Sequence, residues 1–147
     1  KQTQQIAEGT HFSALSTGSF SQLNDYVLPV APGMEIQGKV FMGQTLQTTG
    51  AEISFQSFAP GKETGFFNAP DNEELYIFVS GKGEFQVDGQ VFPVGEGSVV
   101  RVAPEGKRSV RNNGTEPLIM ICVQYKAQTF TAQDAADGQL LQEPVKW

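Results

Sequence analysis

From Tyr26 onward the chain is a succession of short runs in which apolar and polar side chains alternate, broken every few residues by turn-forming pairs. Alternation with a period of two marks half-buried strands, because successive side chains point to opposite faces. The pattern predicts strands at Tyr26–Pro29, Ile36–Met42, Glu52–Phe58, Glu74–Val79, Gly83–Val87, Val91–Val94, Ser98–Val102, Ser109–Asn112 and Leu118–Tyr125. Between them stand Pro60-Gly61, Ser80-Gly81, Asp88-Gly89, Gly95-Glu96-Gly97, Pro104-Glu105-Gly106 and Asn113-Gly114. That rhythm fits an antiparallel sandwich or barrel. Asp88-Gly89 reads as a two-residue hairpin, since both central positions of a type I′ turn need positive φ.

The flanks read differently. Residues 1–25 are rich in Gln, Ser and Thr, which predicts a mobile or loosely docked polar arm. His11, the chain's one histidine, lies in that arm, where it reads as a surface residue unless the arm folds back over the β domain. Residues 26–130 form the predicted β domain and 131–147 a tail. A short helix is expected at Thr131–Ala136 with Thr131 as its cap. Leu140, Leu141, Val145 and Trp147 are expected to pack against the outside of the sheet.

Composition narrows the function classes. The 147 residues, with eleven Phe, suffice for one domain with one core. A formal net charge of −6 opposes attraction to nucleic acid or anionic lipid, so neither is an expected partner. No apolar run is long enough for a membrane-spanning helix. Cys122, the single cysteine, stands in the apolar run Leu118–Tyr125 and reads either as a buried structural thiol or as a nucleophile. It forms no internal disulfide, which suits the cytoplasm without excluding export. The chain starts at Lys1, which fits a trimmed chain or the removal of a targeting segment.

Two stretches carry ordered spacing. In the first, Gly61 is followed by Phe67 and Ala69, then Glu74, then Gly81. In the second, Gly97 leads to Ala103, Glu105, Arg108 and Asn112; counting instead from Pro104 and Gly106 leads to Ser109 and Asn113. These positions resemble the two motifs of the cupins, G-x5-H-x-H-x3,4-E-x6-G and G-x5-P-x-G-x2-H-x3-N. The resemblance covers the central part of the chain and implies a cupin-like antiparallel jelly-roll β-barrel with at most one or two short helices. Both glycines and the glutamate of the first motif are kept, and Phe67 and Ala69 replace its histidines. The shorter spacer would put Asn68 and Pro70 there but moves the first glycine position onto Lys62. For the last histidine position, strand alternation favours Arg108 over Ser109. Its second neighbour is then the apolar Val110, whereas Ser109 would carry Arg111 inward.

In metal-binding cupins the histidines and the glutamate hold iron, manganese, nickel, copper or zinc. Phe67 and Ala69 offer no lone pair, neither Arg108 nor Ser109 is a usual ligand, and one carboxylate does not hold a transition metal usefully. No metal and no other cofactor is expected. A calcium site from Asn68, Asp71, Glu73 and Glu74 is opposed by alternation, which sends Glu73 and Glu74 to opposite faces. An inward Glu74 needs a partner, and Arg108 is the candidate, a fixed cation where a metal would sit. The alternative has Arg108 reaching outward. Lys107, Arg108 and Arg111 together form a basic turn that either stays solvated or attracts an anion.

Tyr76 and Phe78 share the face of Glu74 and serve as core or as pocket lining. The ligand-binding candidates are therefore Phe67, Ala69, Glu74, Tyr76, Phe78 and Arg108, with Glu74 the candidate acid or base. Three functions compete. The first is a metal-independent domain that binds a small organic molecule without catalysis. The second is a metal-free isomerase, epimerase or lyase using Glu74. The third is a structural dimerisation module. Cupins commonly pair, so the resemblance also implies a homodimer, with Tyr26–Pro29 and Ile36–Met42 able to extend a partner's sheet.

Overall fold

The computed structural model of the protein describes all of residues 1–147. Its strands, in chain order, are β1 (Gln4–Gly9), β2 (Phe12–Ser16), β3 (Val27–Ala31), β4 (Met34–Gln37), β5 (Lys39–Phe41), β6 (Ala51–Phe58), β7 (Glu73–Ser80), β8 (Lys82–Val87), β9 (Gln90–Gly95), β10 (Val99–Val102), β11 (Arg108–Arg111) and β12 (Leu118–Tyr125). All pairings are antiparallel. The other regular elements are a four-residue helix, α1 (Gly43–Leu46), and two 3-10 turns at Phe20–Asp25 and Ala132–Ala136. The fold is all-β, as the alternation predicts.

A five-stranded sheet in the order β10-β7-β12-β6-β5 faces a three-stranded sheet in the order β11-β8-β9. The two make a jelly roll, but hydrogen bonds do not run continuously around it. The gap is bridged by residues 59–72, which attach to β11 only at intervals: Gly61 N–H donates to Asn112 O, Thr64 N–H to Val110 O, and Phe67 N–H to Arg108 O. Pro60, Gly61, Gly65 and Pro70 break this stretch into pieces too irregular for a strand.

Register places the even-numbered residues of β6, β7 and β12 on one face, because Tyr76 lies opposite Cys122, and Cys122 opposite Ser54. That face is the inner one. At one end of the inter-sheet space Phe78, Phe85, Leu118 and Val94 form a close-packed core. Phe85 meets Phe78 and Tyr76 edge-on, with ring centroids 6.2 and 5.0 Å apart. The turns behave as their residues require. Asp88 and Gly89 both adopt positive φ between β8 and β9. Gly81, the last glycine of the first motif, has φ +85° and sits so close to the Pro117 carbonyl that a Cβ would overlap it.

Several expectations need correction. Ile36–Met42 is two strands, divided at Gly38, whose N–H donates to Tyr26 O while its carbonyl accepts from Ser57 N–H. The expected N-terminal arm is structured: β1 and β2 form a hairpin, with exposed His11 in its turn and away from the inter-sheet space. The following 3-10 turn anchors itself by burying Leu23 with Tyr26 and Ile119 against the outer face of the large sheet. At the other end, Thr131 does precede a 3-10 turn, its N–H donating to the Asp134 carboxylate at 3.0 Å. Leu140, Leu141, Val145 and Trp147, however, are exposed and pack on nothing. They are separated by Gln, Glu, Pro and Lys and offer no continuous apolar face to dock.

Candidate functional site

β7 directs Glu74 and Tyr76 into the inter-sheet space, and both are at least 97 % buried. Cys122 of β12 lies directly across from Tyr76, which brings its thiol within reach of Glu74, two residues along the neighbouring strand. The Cys122 thiol donates to Glu74 Oε2 at 3.0 Å. From the opposite sheet Arg108 of β11 crosses the space, so that its Nη2 lies 3.5 Å from Glu74 Oε1 with both side chains buried. Nη2 also donates to Ala103 O at 3.4 Å. Ser109 turns the other way, its hydroxyl donating to Thr64 O at 2.9 Å. Arg108, rather than Ser109, therefore takes the inward position.

The pair is not saturated. Glu74 Oε1, Tyr76 Oη and Arg108 Nε and Nη1 are buried without hydrogen-bond partners. Groups of this kind are costly in a folded protein and uncommon away from sites that receive something. Lys39 of β5, opposite Gln56, adds a second cation to this neighbourhood and makes no ion pair of its own. Burial lowers the Lys39 pKa below the usual lysine value, with Cys122 and Glu74 opposing the shift. Burial raises both the Cys122 thiol and the Tyr76 phenol, with the hydrogen bond to Glu74 adding to the first and the charges of Cys122 and Glu74 to the second. At neutral pH both are therefore uncharged donors. Of the two readings of Cys122, the buried structural thiol fits this environment, because the nucleophilic form is a thiolate.

A cavity of about 1020 Å³ opens beside this cluster. Glu74, Tyr76, Cys122, Gln56 and Lys39 line its polar part. Phe58, Phe66, Phe67, Val110 and Met120 contribute to an apolar part, with Ala69 in the segment that forms the lip. Of the six candidates from the sequence, Phe67, Ala69, Glu74 and Tyr76 line this cavity and two do not. Phe78 is fully buried in the packed end, held by Phe85 and Leu118, so it is core. Arg108 is also fully buried and lies behind Phe67, whose ring centroid is 5.6 Å from the guanidinium carbon. The anticipated basic cluster is dispersed as well: Arg108 points inward, and Arg111 pairs with Glu84 on the outside. Lys39, Gln56, Met120 and Cys122 escape sequence reasoning, because their proximity to Glu74 depends on which strands pair and in what register.

The residues do not fit a bound transition metal. At the four ligand positions of the motifs stand Phe67, Ala69, Glu74 and Arg108, and the guanidinium occupies the space beside the single carboxylate. No three His, Cys, Asp or Glu side chains come together. Glu73, proposed with Glu74 for calcium, points outward to Arg101 at 3.0 Å.

A family model described as a cupin domain matches residues 54–124. The crystal structure of a cupin protein from Bacteroides fragilis is 30 % identical to this chain, superposes with a TM-score of 0.65, and is matched over 94 % of its length and 78 % of this chain. The chain belongs to the cupin superfamily. A second cupin-fold structure, a predicted oxalate decarboxylase from Thermotoga maritima, has a TM-score of 0.57 at 18 % identity, covering 70 % of this chain and 96 % of that one. Among curated proteins, an uncharacterized protein of Methanocaldococcus jannaschii is 28 % identical over 65 residues, 44 % of this chain. The chain matches about half of that relative, 52 % of its length. The superfamily accounts for the two facing sheets and for the kept Gly61, Glu74, Gly81 and Gly97.

Proposed function

We propose that this cupin domain binds a small organic molecule in the cavity between its sheets, without a metal and without catalysis. The observation that carries the reading is Arg108, whose guanidinium stands 3.5 Å from Glu74 where a ligand-bound cation would otherwise be held. A fixed cation beside the carboxylate competes with any exchangeable one. The cavity, at about 1020 Å³, is at the upper end of the range for small-molecule sites and combines an apolar wall with a few converging polar groups. The purely structural role leaves the buried polar groups at the base of this open cavity without a use.

Metal analysis of the purified protein, joined to native mass spectrometry, tests this reading. The expected result is no stoichiometric transition metal and uptake of an organic molecule that Glu74→Gln or Phe67→Ala weakens. A stoichiometric metal displaced by Glu74→Gln would overturn it. A metal-free enzyme is the second reading, favoured by Glu74 Oε1, which lacks a hydrogen bond at the cavity wall. In that case Glu74→Gln abolishes turnover of a bound substrate while leaving the fold intact. Self-association belongs to the same proposal: Val99 is exposed on the outer face of the large sheet, beside half-buried Ile77. Sedimentation at micromolar concentration is expected to give a dimer.

A further inference from the structure

Over the whole cavity the charges balance, Glu35, Glu63 and Glu74 against Lys39, Lys62 and Arg108. Glu35, Lys62 and Glu63 are exposed at the mouth, however, and the inner polar wall is left with an excess of one positive charge. Glu74 is matched by Arg108, and its second oxygen already accepts from the Cys122 thiol. Cys122 and Tyr76 remain uncharged at neutral pH. Lys39 is left over, an ammonium lining the cavity with no carboxylate within ion-pair distance. The Tyr76 hydroxyl in the same wall is buried close to the Glu74 carboxylate but makes no hydrogen bond of good geometry to it. The polar part of the cavity thus holds one ammonium without an ion-pair partner, resting over the Phe41 ring at 4.9 Å, and a neutral phenol donor. The exposed mouth residues Glu35, Lys62 and Glu63 carry both signs and add no second positive focus.

We infer that the molecule bound is a monocarboxylate with an aromatic or branched apolar body, its carboxylate on Lys39 and its body against Phe58, Phe67 and Met120. This rests on the small-molecule reading above and names its ligand class. A carboxylate is acceptor-only and offers about four lone-pair sites, enough for an ammonium and a phenol together. An alcohol or amide of the same shape leaves the Lys39 ammonium unpaired in a half-buried position. An amine meets Lys39 as a like charge, and the charge of Glu74 is already balanced by Arg108. A dicarboxylate brings a second charge to an apolar wall with no partner for it. The apolar body follows from the rest of the lining, which supplies aromatic and thioether surface.

Titration of the full-length protein with 2-naphthoate and with 2-naphthalenemethanol, which share the ring and differ in the polar group, tests the assignment. The acid is expected to bind at least about tenfold tighter than the alcohol, as one charge-assisted hydrogen bond implies. Lys39→Met brings the acid down to the level of the alcohol, whereas Lys39→Arg keeps the preference; circular dichroism checks that both variants are folded. Equal affinities in the wild type overturn the carboxylate assignment, and a preference that survives Lys39→Met overturns Lys39 as its partner, while small-molecule binding stays intact in both cases. Failure of both probes to enter the wild-type cavity overturns the small-molecule reading, and the carboxylate assignment falls with it.

Discussion

The two ends of the inter-sheet space are built by the same strands and have opposite characters. On β7, Phe78 is fully buried among Phe85, Leu118 and Val94, whereas Glu74, four residues earlier on the same face, looks into a cavity of about 1020 Å³. On β12, Leu118 lies in the filled end, Met120 lines the apolar part of the cavity and Cys122 hydrogen-bonds to Glu74. The filled end makes a continuous apolar contact network that stabilises the jelly roll. The open end keeps buried polar groups without partners, a feature that lowers stability and suits reception of a ligand. One end thus supports the fold, and the other is free to carry function.

The largest effect is expected from breaking the filled end. Phe78→Ala should lose about 3–5 kcal/mol of stability, read as a shift in the urea midpoint, because it leaves a cavity among Phe85 and Leu118. A loss below about 1 kcal/mol would mean that the filled end is not what holds the two sheets together. Next comes the ion pair at the open end. Arg108→Met alone strands a buried carboxylate and should lose about 3 kcal/mol or more, while Arg108→Met combined with Glu74→Gln should recover most of it. If the double variant is no more stable than the single one, the pair is not the partner that Glu74 needs.

Alkaline pH separates the ends more gently. Burial raises the Cys122 thiol above its ordinary value of 9.0, so the unfolded chain releases this proton before the folded one does. The contribution is fully present below about pH 9 and is lost as pH rises beyond it, by up to about 1.4 kcal/mol per pH unit. Lys39 acts in the opposite sense, because its lowered pKa makes the unfolded chain the one holding more protons below its usual 10.5. Comparing wild type with Cys122→Ala at pH 8 and pH 10 removes the part of the lysine term that burial causes, which both proteins share. The wild type should lose the more stability of the two over this interval, and parallel pH profiles would place the thiol outside the buried cluster. Phe67→Ala should change stability least, by about 1 kcal/mol or less, because its ring is 41 % exposed and contributes mainly a contact with Arg108. An effect on ligand uptake exceeding the effect on the urea midpoint is expected there, the reverse of Phe78→Ala.

Much of this contrast was legible in the chain, though unevenly. Alternation put Glu74, Tyr76 and Phe78 on one face, and Val110 indicated which neighbour, Arg108 or Ser109, turned inward. It did not separate Tyr76 at the cavity from Phe78 in the core, since both have the same parity and similar side chains. Lys39 and Gln56 gave no local signal, and Cys122 was legible as a buried thiol but not as a neighbour of Glu74, because residues on different strands meet only once the pairing order β7-β12-β6-β5 is set. The N-terminal segment misled for a related reason. Its polar composition predicts a loose arm, yet one leucine, Leu23, docks it on the large sheet. The tail misled in the opposite direction, its apolar residues too interrupted to form a docking face.

What the sequence determined by itself was local: period-two alternation, the positive-φ turn at Asp88-Gly89, the motif glycines, and the absence of lone pairs at Phe67 and Ala69. These follow from the stereochemistry of each residue and its nearest neighbours, and they suffice for an all-β jelly roll with degenerate ligand positions. Only the tertiary structure decided that Arg108 reaches Glu74, that Cys122 becomes its hydrogen-bond donor, and that Lys39 is left without a counter-ion. Those facts depend on strand order, register and the distance between the two sheets. They are set by how the whole core packs, and no single stretch of the chain encodes them.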